Sequence, residues 1–138
     1  MKIKYYNNPS INFGMQPQGV FYITASGKAG VSSVSNFSAT GVRYATQSAP
    51  ILVAGGKINP NLPTSESRIR RNGVGILRDG SVLMAVSDTG VTFREFAQFF
   101  IDNGCTSALF LDGGVSRCNT QKKKSRLRTG YGCFIGVY

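Results

Sequence analysis

The stretch SVLMAVSDTGVTFREFAQFFIDNGCTSALFLDGG, residues 81–114, decides the fold class. Its centre repeats apolar side chains at helical spacing: Phe93, Phe96, Ala97, Phe100 and Ile101 fall at i, i+3, i+4, i+7 and i+8. Thr92 takes the N-cap position, and Glu95, three residues on, completes a capping box. Asn103-Gly104 supplies the stop. The spacing predicts one main helix over about Thr92–Asn103. Runs of strand length flank it. Val82–Val86 is nearly all apolar and reads as a central strand. TSALFLD, residues 106–112, reads as a second buried strand. Strand, helix and strand in succession make a β–α–β unit, which predicts that the two strands lie as parallel neighbours.

Moving upstream, GVGILRDGSVLMAVS (73–87) sets Asp79-Gly80 between two apolar runs, a strong short-range hairpin signal. Residues 59–72, NPNLPTSESRIRRN, read as one long polar loop, a type that is often functional in compact domains. Further back, GVFYITA (19–25) is β-branched and aromatic, Ser26-Gly27 turns it, and KAGVSSVSN (28–36) returns. VRYATQS (42–48) and ILVA (51–54) are broken by Pro50, and Gly55-Gly56 turns the chain into KIN. GYGCFIGVY (130–138) reads as a last strand, and residues 1–18 as a loosely held lead-in. Many strands and few helices predict a single α+β domain over 1–138, built on one mixed β-sheet.

The bulk composition agrees with a globular chain. Its 138 residues suit one domain, and 41% hydrophobic against 16% charged excludes a disordered composition. The net charge is +10, and RIRR (68–71) and KKKSRLR (122–128) hold half of the 16 Lys and Arg. Such a balance favours an anionic partner. Nucleic acid ranks behind a small anion, because KKKSRLR has no interleaved aromatic rings for bases to stack on. There is no histidine, which excludes Ser-His-Asp and Cys-His catalysis and histidine zinc sites. Cys105, Cys118 and Cys133 form no CxxC, so free thiols in a reducing compartment are expected. With neither an apolar leader nor a membrane span, a cytoplasmic chain is expected.

Six carboxylates remain for acid–base work, and two of them follow apolar strands. Asp112 ends the run LFLD, ahead of Gly113, Gly114, Ser116 and Arg117. Gly-Gly after a buried strand is explained equally by a tight turn and by a site where backbone N–H groups face an anion. Asp88 follows Val82–Val86 in the same way, and a β–α–β unit would carry both carboxylates to one edge of the sheet, where ligands bind. A turn at SDTG explains Asp88 without a site. Arg71 and Asn72 lead from the basic loop into the hairpin, and a guanidinium offers phosphate a planar bidentate fork. A solvated charge run is the commoner meaning of RIRR. Glu95 is a general-acid candidate by residue type, and its capping-box position explains it without any catalytic role.

Three blocks, ATQSAPILVAGGKINP (45–60), SRIRRNGVGILRDGSVLMAVSD (67–88) and TFREFAQFFIDNGCTSALFLDGGVSR (92–117), together resemble, in order, those of the phosphodiester glycosidase family. The resemblance extends over about residues 19–138. It implies a pocket lined by Gln47 and Ser48, Arg71 and Asn72, Ser87 and Asp88, Glu95, and Asp112, Gly113, Gly114 and Ser116. Members carry a further upstream segment with an Asn-Gly-type motif. Here INFG (11–14) stands in its place, so an N-terminally shortened member is expected.

The resemblance implies hydrolysis of a glycosidic bond to a phosphate ester, in a sugar phosphodiester or nucleotide-like substrate. A phosphodiester leaves readily, so the site needs a cation for the phosphate and a carboxylate to activate water or stabilise the oxocarbenium ion. Arg71 suits the first role, Asp112 or Asp88 the second. No cofactor is required, although two aspartates leave room for a divalent metal. A rival reading is a binding protein that sequesters a phosphorylated sugar or nucleotide signal, for instance in a phage counter-defence. Self-association is left open.

Overall fold

Two apolar runs and a capped amphipathic helix organise the second half of the chain. The computed structural model describes residues 18–111. Its strands are β1 (Gly19–Thr24), β2 (Ala29–Ser33), β3 (Val42–Ser48), β4 (Ile51–Ala54), β5 (Lys57–Ile58), β6 (Asn72–Leu77), β7 (Val82–Val86) and β8 (Cys105–Phe110), with helix α1 (Phe93–Asp102) between β7 and β8. The α+β class read from the sequence holds. The expected N-terminal lead-in before Gln18, the DGGVSR segment, the basic run 122–128 and the last strand lie outside the described residues.

One mixed sheet was expected, and two antiparallel sheets are found among the described residues. The smaller has the order β2-β1-β3, the larger β5-β4-β8-β6-β7. β7 and β8 both pair with β6 in antiparallel fashion. They therefore run parallel to each other, as a β–α–β unit requires, but β6 separates them. The reason is local. The Asp79-Gly80 turn seats β7 on one edge of β6. Gly80 adopts φ +85, and Asp79 Oδ1 accepts the Ser81 N–H at 2.9 Å. The crossover through α1 then leaves β8 the other edge of β6.

The buried strand of the hairpin is β6, not β7. Gly73–Ile76 are buried inside the sheet, whereas β7 is its edge strand among the described residues, with Val82 and Met84 exposed. The three-stranded sheet packs over β6 and β8, and Val82 and Met84 on β7 stay exposed. An all-apolar run thus belongs to a strand with one uncovered face.

Between the sheets lie Phe21, Val74, Ile76 and Leu109, surrounded by Ile23, Val31 and Ile51. On the opposite face of the large sheet, Phe93, Phe96, Ala97 and Phe100 of α1 pack on Leu52, Val53, Ala108 and Phe110. Glycines on β6 bring the helix close: a Cβ at Gly75 would stand 2.6 Å from both Cys105 Sγ and Phe100. The capping box is complete, with Thr92 N–H donating to Glu95 Oε2 at 2.8 Å and Glu95 N–H to Thr92 Oγ1 at 3.2 Å. Among the described residues, no helix is long and apolar enough to cross a membrane.

Candidate active site

Register places the candidate residues. Ile51 at the start of β4 stands opposite Leu109 on β8, Gly73 of β6 opposite Phe110, and Asn72 opposite Val86 of β7. The exits of β7 and β8 and the entries of β4 and β6 therefore share one sheet edge. The exit of β3 joins them, because Ser48 leads through the cis Ala49–Pro50 bond into β4, and the Pro50 carbonyl accepts the Phe110 N–H at 3.2 Å.

Gln47 is exposed and Ser48 half-buried at the end of β3, where the Ser48 carbonyl accepts the Gln18 N–H. Asn72 pairs with Val86 of β7, so Ser87 and Asp88 follow at the same end of the sheet as Asn72. Leu111, the last described residue, donates its N–H to the Asn72 carbonyl at 3.0 Å, so β8 leaves the sheet beside Asn72. Asp112, Gly113, Gly114, Ser116 and Arg117 lie beyond it, outside the described residues. Asn72 Oδ1 is buried and accepts no hydrogen bond from the described residues.

Arg71 is the one buried cationic side chain among the described residues, 2% exposed. Its Nε donates to the Val91 carbonyl at 2.8 Å and its Nη2 to the Ser67 carbonyl at 3.0 Å. The guanidinium lies 3.6 Å from the Phe93 ring centre, with Phe110 further off at 5.6 Å. It has no carboxylate partner among the described residues. Burial lowers its pKa, since desolvation disfavours the charged form. The bidentate fork expected to grip phosphate is here turned toward backbone carbonyls and an aromatic face.

Glu95 is exposed and fully engaged. One oxygen takes the Thr92 N–H, and the other pairs with Arg68. The Thr92 backbone N–H first, and Arg68 next, hold its carboxyl below the usual glutamate range. A carboxyl kept ionised in this way is poorly suited to donate a proton near neutral pH. No group of three His, Cys, Asp or Glu that would hold a metal occurs among the described residues.

Sequence reasoning had no access to the cage around Arg71. Two of its members are carbonyls, of Ser67 and Val91, and carbonyls have no sequence signature. Phe93 was legible only as a core position of the helix.

The described residues form an α+β domain of two antiparallel sheets, with five strand ends brought to one side of the larger sheet. The chain belongs to the phosphodiester glycosidase family, whose model matches residues 4–120. It is 35% identical over 108 residues to Uncharacterized protein YigE of Escherichia coli (strain K12), covering 76% of this chain and 42% of that protein. Among solved structures, it is similar to the catalytic domain of zebrafish N-acetylglucosamine-1-phosphodiester alpha-N-acetylglucosaminidase, auto-inhibited by its pro-peptide. The TM-score is 0.57 at 19% identity, over 71% of this chain and 40% of that one. At that identity the likeness concerns the fold. The chain spans less than half the length of either relative.

Proposed function

We propose that this chain hydrolyses a glycosidic bond whose leaving group is a phosphate ester. Family membership supports the reaction class. The observation that carries the reading is the strand order β4-β8-β6-β7, which gathers Asn72, Ser87, Asp88 and the exit of β8 at one edge. Polar side chains that converge on one end of a sheet can orient a bound ligand.

Water attacks the anomeric carbon, and the bond from that carbon to the ester oxygen breaks. The electron pair leaves with the phosphate as a phosphomonoester anion. A carboxylate, Asp112 or Asp88, takes the proton from water and passes it to solvent. Negative charge there also steadies the oxocarbenium-like transition state. Gln47, Ser48, Ser87, Ser116, Arg117 and the N–H groups of Gly113 and Gly114 are the proposed contacts to sugar and phosphate. Glu95 serves the helix cap in this reading, and no metal is needed.

A product assay tests the proposal. The protein is incubated with sugar phosphodiesters, nucleotide sugars and nucleotides, and the mixture is analysed by mass spectrometry before and after heat denaturation. Free sugar plus a phosphomonoester is the expected result. It should vanish in Asp112→Asn, while phosphomonoester affinity stays. An intact ligand recovered only on denaturation would replace hydrolysis with sequestration.

A further inference from the structure

The pairing of β6 with β7 continues beyond both strands, with one interruption. Arg71 and Ser87 exchange bonds: Ser87 N–H donates to the Arg71 carbonyl at 2.8 Å, and Arg71 N–H to Ser87 Oγ at 2.9 Å. Two residues further out, Ile69 bridges Val91, with the Val91 N–H donating to the Ile69 carbonyl at 3.0 Å. Between these pairs, residues 88–90 on one side face Arg70 alone on the other. Asp88 therefore opens a three-residue bulge, and bulges re-aim side chains beside active sites.

Arg71 bonds to both ends of that bulge. Its backbone holds Ser87, and its Nε holds the Val91 carbonyl at 2.8 Å. Nη2 ties the same guanidinium to Ser67, and the Phe93 ring backs it. Gly90 closes the device: a Cβ there would stand 2.7 Å from the Arg68 carbonyl oxygen, a backbone atom that cannot swing aside.

We infer that Arg71 is a positioning residue, which clamps the bulge of residues 88–90 and so fixes Asp88 at the sheet edge, rather than a ligand of the phosphate. The inference rests on the hydrolytic reading for its consequence in catalysis, and on the hydrogen bonds alone for the clamp. A 2%-exposed guanidinium with two of its nitrogens on carbonyls has little surface left for a ligand.

The experiment compares Arg71→Lys and Gly90→Ala with the unsubstituted protein. Lysine keeps the charge but cannot span two carbonyls while lying flat on Phe93. Gly90→Ala leaves Arg71 intact and wedges the clamp open. Both should lower kcat by about a hundredfold, the scale of a displaced catalytic group. KM and the Kd for the phosphomonoester product should stay within about twofold. Backbone amide exchange at Ser87 and Val91 should accelerate in both variants. Arg71→Lys with weakened phosphomonoester binding would make Arg71 a ligand contact and overturn the inference. Unchanged kcat in Gly90→Ala would overturn it too. If the unsubstituted protein turns over no substrate, the hydrolytic reading fails separately. Amide exchange still decides the clamp, and unaltered protection at Ser87 and Val91 in both variants would end it.

Discussion

Glu95 and Asp88 are both exposed carboxylates, and Glu95 is already engaged by the Thr92 N–H and Arg68. Glu95 has a depressed pKa because Thr92 N–H and Arg68 stabilise its ionised form. The stability it contributes is therefore fully present above the ordinary glutamate value and is lost as the pH falls through the lowered folded value. Glu95→Gln should be less stable than the unsubstituted protein at neutral pH, and the gap should close in acid. Urea unfolding at both pH values measures it. In the product assay Glu95→Gln should keep turnover within about threefold, because glutamine also completes a capping box. A loss on the scale of a catalytic residue would return Glu95 to the chemistry. Cys105 gives a simpler case. Burial pushes its thiol pKa up, so little thiolate is present near neutral pH. Site-resolved mass spectrometry should find Cys105 unmodified by a thiol reagent in the native protein and modified after unfolding.

At the scale of elements, the capped helix was fully legible and the order of strands was not. Thr92 and Glu95 announce the start of α1, and four of its five apolar stripe residues are buried. Thr92→Ala should cost about 1 kcal/mol in urea unfolding with an unchanged slope, since the cap is lost and the surface exposed on unfolding is not altered. The glycines of GVG carried no physical reason in the sequence. The structure supplies it: β6 lies directly beneath Phe96 and Phe100. Gly75→Ala should destabilise the protein by about 1–3 kcal/mol through overpacking, read by the same unfolding curves. Val82–Val86 misled because an apolar run does not say which of its faces is covered. Cover comes from the opposing sheet, and that sheet is built from strands far upstream, β1 to β3.

For the molecule as a whole, the dominant fact is a net charge of +10 from 16 basic and 6 acidic residues. Long-range attraction to anions is screened by salt over about 10 Å at ordinary ionic strength. Phosphomonoester affinity should therefore fall as NaCl is raised, while kcat at saturating substrate should change little. Titration calorimetry and initial rates at low and high salt separate the two. Salt-independent affinity would assign binding to short-range contacts at the sheet edge instead of to the protein's field.

Neighbouring residues and ordered blocks were enough to fix the α+β class, the helix Phe93–Asp102 with its cap, the hairpin at Asp79-Gly80 and the family. Each of these depends on residues close together in the chain or on ordered blocks of them. Three further features came only from packing: two antiparallel sheets among the described residues in place of one mixed sheet, β6 between β7 and β8, and the inward turn of the Arg71 guanidinium. Those outcomes depend on which edge of a strand is already occupied, which face another sheet covers, and where backbone carbonyls stand. None of the three is a property of the residues that display it. A buried guanidinium must find acceptors, and here Ser67 and Val91 supply them only after the loop and the bulge have come together.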